Sequence, residues 1–511
     1  MSGPTVRVDG HTLSLEDIER VARDVSAPLD LVPEARVRMK ASRDFIELKV
    51  ASGEPVYGVT TGFGRLADVA IEPDQREELQ RNLVRSHASG MGSLMNQASV
   101  RALMLLRANA LARGVSGCRV DVVERLLGFL EAGIHPHVPE FGSVGASGDL
   151  APLAHIALGL IGEGDAEHDG ISGPVSRWMD QAGLEPLTLG SKEGLALING
   201  TQATTGLGVL ALLSAERALE TAEVAAAMSL EALLGTPEAF RAEIQDARPH
   251  EGQRRSAERL RAILANSEIR ESHKDGDPRV QDAYALRCVP QVHGAARHAL
   301  AYVRGILETE ANSATDNPLV FPDAGIVVSG GNFHAQIVSQ ALDLLAIAVA
   351  DLAAISERRI ERLLNPDLSM GLPAFLARRP GLESGFMIAQ VTAVDLLSEL
   401  RILSHPASVD SVTTSANQED HVSMGLTAAR KAGRAVSCLE RVIATELMCA
   451  AEGIEYRRPL LAGRGVEIAH ERVREKARRL DGDRTLGPDL ESLTQLVQSG
   501  ALARIHEEVS S

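Results

Sequence analysis

Two long windows without proline, Leu207 to Leu234 and Phe333 to Leu364, limit what this chain can become. In each, apolar residues recur at helical spacing, and nothing removes a backbone N–H or clashes with the preceding turn. The second window, FHAQIVSQALDLLAIAVADLAAISERRIERLL, would extend roughly 48 Å as a helix. It is apolar nearly all round through its middle, so it must be buried among other helices or subunits. The expected fold is mainly α: an elongated bundle of long helices over 111–511, with a smaller mixed N-terminal part over 1–110 in which short helical patterns alternate with Gly-rich turns. Few strands are expected. VRVDG followed by HTLSLEDIERVA reads as a short strand, a turn and a helix capped by Ser14 with Asp17 three residues on. Polar loops are expected at 142–149, 199–206, 272–284, 312–333 and 411–425.

A net charge of -17 disfavours nucleic acid and anionic membranes as partners, because neither attracts an acidic surface. Gly194 to Ala215 is uncharged and of spanning length, but Asn199, Thr201, Gln202, Thr204 and Thr205 crowd its first half, so it reads as a buried segment. Four cysteines form no C-x-x-C pair and follow no signal peptide, which points to a reduced, cytoplasmic setting without a metal site. Aromatics are only 3% of the chain, so a tyrosine in a Gly-rich loop, such as Tyr57 in YGVTTGFG, stands out.

The most unusual chemistry lies in FGSVGASGDLAPLAH, Phe141 to His155. Ala-Ser-Gly can cyclise if the glycine nitrogen attacks the alanine carbonyl carbon; loss of water from the serine then leaves an exocyclic methylidene, a strong electrophile. Only a residue without Cβ lets the nitrogen approach so closely. The tripeptide alone means little, since it occurs at Ala51 to Gly53, Ala88 to Gly90 and Ala146 to Gly148.

The context of the third copy resembles the signature of the aromatic amino-acid ammonia-lyase family. The resemblance runs from YGVTTGFG through LQRNLVRSHASGMG, GSVGASGDLAPLAH, LALINGTQATTGL, QDAYALRCVPQ, SATDNPLV, SGGNFHA and SGFMIAQVTA to SANQEDHVSMG. The Gly-Ser-Ser-x-Met-Pro-x-Lys loop of the superficially similar fumarase and argininosuccinase lyases is absent from the sequence. The resemblance implies that Ala146, Ser147 and Gly148, assisted by Asp149, form the methylidene-imidazolone (MIO) group with no external cofactor. It implies a homotetramer with composite sites, Tyr57 as the base that takes the β-proton, and Tyr284 as a further catalytic residue. Arg287 matches the residue that clamps the substrate carboxylate, a task suited to a planar guanidinium. Gln281 matches a site residue, Asn199 the amide beside MIO or the carboxylate, and Phe333 an aromatic of the pocket wall.

Substrate choice is expected to rest on Ser86-His87, where phenylalanine-specific members resemble Phe-Leu and tyrosine-specific ones His-Leu, and on Glu419. His87 offers a donor and an acceptor to an imidazole, and Glu419 a carboxylate partner that a phenyl ring could not use. The expected reaction is therefore deamination of L-histidine to urocanate and ammonia; the alternatives are action on tyrosine or phenylalanine, a 2,3-aminomutase, or a silent helical scaffold. Gln336 and Ile337 replace a common Glu-Pro, and Ala283, Val289 and His293 also depart from the usual residues. His293 is expected to be a packed loop histidine.

Overall fold

Helices Gln202–Ala232, Val289–Ala311, Gln336–Leu364 and Gly425–Glu455 carry most of the long-range architecture, and strands are few and short. The computed structural model describes residues 3–52, 54, 56–66 and 69–510. Both proline-free windows are helical, but their ends differ from expectation. The second helix starts at Gln336, because Asn332 and Phe333 form a turn ahead of it. The first starts at Gln202, so the loop expected over 199–206 shrinks to its opening residues. The cause is a cap from elsewhere in the chain: Asp149 Oδ2 accepts the Thr204 N–H at 2.7 Å and Oδ1 the Thr204 hydroxyl at 3.0 Å. An anionic acceptor at a helix N-terminus satisfies donors that have no partner within the helix.

The chain divides into two compact units, one of 1–210, 304–343 and 406–430, the other of 211–303, 344–405 and 431–511. The division expected at residue 110 falls inside the helix Gln97–Ala112, which is buried continuously from Ser99 to Ala112. A segment enclosed in this way belongs to the interior of a unit rather than to its edge.

In the first unit, Ser14 caps the helix Leu15–Arg23 by accepting the Asp17 N–H, and its hydroxyl donates to Asp17 Oδ2 at 2.7 Å. The strand Val6–Val8 pairs in parallel with Leu29–Leu31. The polar groups on the buried helix are used: Asn109 Oδ1 accepts from Gly10 N at 2.8 Å, and Arg101 Nε donates to the Val21 carbonyl at 2.7 Å. Met91–Leu94 pairs antiparallel with Pro139–Phe141, so the segment after Phe141 leaves from a fixed edge.

In the second unit, Glu446 accepts from Ser229 at 2.7 Å, Ser356 at 2.6 Å and Arg359 at 2.5 Å, all of them buried. Gln336–Leu364 is long and apolar enough by composition to cross a membrane. Its buried Ser356, Glu357 and Arg359, however, are the marks of a core helix that meets polar partners. The helix Met387–Leu403 leaves Ile388, Val391, Val394 and Ile402 exposed.

Candidate active site

The turn Ala146-Ser147-Gly148 lies between the strand Pro139–Phe141 and the helix Leu150–Leu160. Gly145 and Gly148 take φ of +79° and +74°, in the left-handed region where a Cβ is penalised. Space closes on both as well. A Cβ at Gly145 would stand 2.1 Å from Ser423 Oγ, and one at Gly148 would stand 2.2 Å from the Gly200 carbonyl oxygen. The turn is thus compressed between the 423 segment and the 200 segment, the condition that ring closure requires. Of the other two copies, the described glycine, Gly90, has no positive φ, and a Cβ on it would stand no closer than 3.1 Å to its neighbours. Ala51 and Ser52 end the helix Pro33–Ser52, with Gly53 outside the described residues; Ala88 caps the helix Arg76–His87.

Asp149 anchors the turn from beneath. Its N–H donates to the Gly200 carbonyl at 2.6 Å, and its carboxylate takes the Ser143 hydroxyl at 3.1 Å besides the two Thr204 donors. Burial pushes the carboxyl up to about 6, against the pull of those hydrogen bonds. Glu310, which accepts the Thr201 hydroxyl at 2.6 Å, is also raised, first by burial and further by the charge of Asp149.

Above the turn lies a cavity of about 580 Å³, within the range of small-molecule sites. Tyr57, His87, Ser147, Asn199, Asn317 and Glu419 contribute to its wall, together with apolar residues such as Leu83 and Leu195. The Ser147 hydroxyl donates to Glu419 Oε1 at 3.3 Å, and Glu419 Oε2 accepts from Thr414 at 2.7 Å. His87 Nδ1 lies 2.8 Å from the Leu83 carbonyl, which makes Nδ1 the protonated nitrogen and leaves Nε2 as an acceptor. Burial lowers the His87 pKa; the Leu83 carbonyl and Glu419 oppose that shift. The Tyr57 hydroxyl accepts the Gly64 N–H at 3.0 Å, and its ring meets Phe63 edge to face. Asn199 donates Nδ2 to the Asn317 carbonyl at 2.9 Å, while its buried Oδ1 has no partner.

The remaining expected site residues lie elsewhere. Phe333 is half-buried in its turn and is absent from the cavity wall. Gln281, Tyr284 and Arg287 belong to the second unit, where Arg287 stacks at 4.6 Å on a Tyr284 that is 70% exposed. His293 is fully buried on the helix Val289–Ala311 rather than on a loop, and neither ring nitrogen has a partner. Burial and then the charges of Arg359 and Arg297 hold its pKa far below the usual value. Gln336 donates to the Ser408 carbonyl at 3.2 Å, and Ile337 is half exposed. Thr204, Ser143 and Asn317 were not singled out from the sequence. Thr204 and Asn317 lie inside the motifs LALINGTQATTGL and SATDNPLV, but a motif does not show which of its members points at the turn.

Fold and site together define a carbon–nitrogen lyase of the ammonia-lyase type. The chain belongs to the aromatic amino acid lyase family, whose pattern matches residues 13–475. It is 54% identical over 506 residues to the histidine ammonia-lyase of Anaeromyxobacter dehalogenans, covering 98% of this chain and 99% of that one. The solved histidine ammonia-lyase of Trypanosoma cruzi superposes with a TM-score of 0.92 at 44% identity, over 99% of this chain and 96% of that one. Tyrosine aminomutase from Streptomyces globisporus superposes with a TM-score of 0.94 at 39% identity, over 99% of both.

Proposed function

We propose that this enzyme deaminates L-histidine to urocanate and ammonia, using an electrophile made from Ala146, Ser147 and Gly148. The observation that carries the reading is the hydrogen bond from Ser147 to Glu419 in a cavity that His87 also lines. It joins the reactive turn to the two groups that suit an imidazole.

Ring closure balances as two dehydrations. Gly148 N bonds to the Ala146 carbonyl carbon, releasing that oxygen as water; Ser147 then loses its hydroxyl and α-hydrogen as a second water. The compressed turn and the absence of Cβ at Gly148 fit such a group. When formed, MIO supplies an electrophile for the substrate's amine nitrogen. The side chains around it do the rest. His87 Nε2 accepts an N–H from the substrate imidazole, and Glu419 pairs with the ring or the amine. The unpartnered Asn199 Oδ1 accepts a donor, which suits the substrate amine better than a carbonyl oxygen. Tyr57 takes the β-proton. Arg287, on the second unit and outside the cavity wall, clamps the carboxylate from a neighbouring copy in a homotetramer, with Tyr284 stacked on it; Gln281, three residues before Tyr284, and Phe333 would complete the site.

Intact-mass measurement tests the electrophile. The wild-type chain should be lighter than its sequence by two waters, about 36 Da, as a backbone modification requires. Ser147→Ala should lack the deficit and nearly all activity; an active wild type of unmodified mass would refute the reading.

A further inference from the structure

Next to the cavity a guanidinium is buried where an apolar side chain would be the cheaper occupant. Arg107, on the helix Gln97–Ala112, is 1% exposed, and among the described residues no carboxylate hydrogen-bonds to it; the nearby charge of Asp316, itself paired with Lys192 at 2.8 Å, acts on it only through space. A buried charge is costly unless its surroundings compensate it. Here the charge of Asp316 and a set of carbonyl oxygens on the two Nη atoms offset it, while Nε has no partner among the described residues. Nη1 donates to the Asn199 carbonyl at 3.2 Å, to the Thr315 carbonyl at 3.1 Å and to Gln202 Oε1 at 3.0 Å, and Nη2 donates to the Ala196 carbonyl. All but the Thr315 carbonyl belong to the stretch from Ala196 to Gln202, which holds Asn199 and Gly200.

Those two residues face the reactive turn. Asn199 is held at its carbonyl by Arg107 and at its side chain by Asn317, with Oδ1 left for a ligand. Gly200 is sandwiched. A Cβ there would fall 2.3 Å from Arg107 Nη1, so the guanidinium packs directly on its backbone, while its carbonyl accepts the Asp149 N–H and presses on Gly148. Arg107, Gly200 and Gly148 therefore form one continuous stack.

We infer that Arg107 is the positioning residue for ring closure: through Gly200 it holds the Gly148 backbone in the compressed geometry from which Ala146-Ser147-Gly148 cyclises. The inference rests on the reading that this triad cyclises. Arg107 touches neither the reacting atoms nor the cavity, so its effect should appear in how fast the turn converts. A misplacement of about 1 Å can cost on the order of a hundredfold in rate.

The test uses the full-length chain as Arg107→Lys and as Gln202→Met, following the two-water loss by intact mass after expression, with circular dichroism and melting as controls. Lysine keeps the charge but cannot fork across several carbonyls. Gln202→Met keeps the arginine and removes one of its acceptors. In folded protein, Arg107→Lys should slow conversion at least about tenfold and Gln202→Met less, with kcat falling in proportion to the unconverted fraction and KM for histidine little changed. Variants that melt earlier yet convert as fast as wild type would overturn the inference, since that is the behaviour of a purely structural pin. Should Arg107→Lys fail to fold, Gln202→Met decides alone. A wild type without the two-water loss would overturn the reading of the triad, and this inference with it.

Discussion

The residue scale is where electrostatics separates candidate from bystander. Asp149 ionises at about 6 in the fold and near 3.8 when free, so between those values the unfolded chain has released a proton that the native one keeps. The stability this gives is full below the unfolded value and is lost as pH rises through the folded one, a loss of about 3 kcal/mol. Asp149→Asn is neutral throughout and escapes it. By denaturant titration, the stability of Asp149→Asn relative to wild type should improve by about 2 kcal/mol from about pH 4 to pH 7; a constant difference would refute the raised carboxyl. The opposite sign applies to His87, whose depressed pKa gives stability that is present above 6.5 and lost as pH falls through the folded value. Much at this scale was legible in the sequence. Tyr57, His87, Ser147, Asn199 and Glu419 do share one cavity. Thr204 and Arg107 were not legible, because their roles come from contacts with Asp149 and Gly200, distant in sequence, and not from residue type.

Elements carry the strain that residues alone do not show. Ser415, Ala416 and Asn417 all have positive φ, of 52°, 50° and 68°, in the turn that leads to Glu419. Three successive residues in the left-handed region each cost on the order of 1 kcal/mol relative to glycine. The turn also supports the Tyr57 loop, since a Cβ on Gly64 would stand 2.7 Å from Ser415 Oγ. Ala416→Gly should raise stability by up to about 1 kcal/mol, part of the relief being offset by the unfolded-state entropy of glycine. A clear fall in Tm would show that the left-handed geometry is not what the position demands. Helix identity was readable because proline is absent and apolar residues recur on several faces of the windows. Helix starts were not: Gln202 begins a helix because Asp149 supplies its cap, and no local signal announces a cap from so far away.

At the scale of the whole molecule, the cavity wall lies within the first unit, whereas Gln281, Tyr284 and Arg287 lie in the second. The exposed apolar row Ile388, Val391, Val394 and Ile402, together with Ile347 on the helix Gln336–Leu364, suits burial against other copies. Light scattering should therefore report a tetramer, and an active monomer would contradict composite sites. Mixing Tyr57→Phe with Arg287→Ala subunits should restore part of the activity that each lacks, because some sites would then receive both intact residues. The decisive measurement is kcat/KM for L-histidine, L-tyrosine and L-phenylalanine, with urocanate followed by its near-ultraviolet absorbance and ammonia assayed in parallel. Histidine should turn over at least about a hundredfold more efficiently than the other two, because His87 and Glu419 would be left unpaired against a phenyl ring. Equal or better turnover of tyrosine, or a β-amino acid product in place of urocanate, would contradict it.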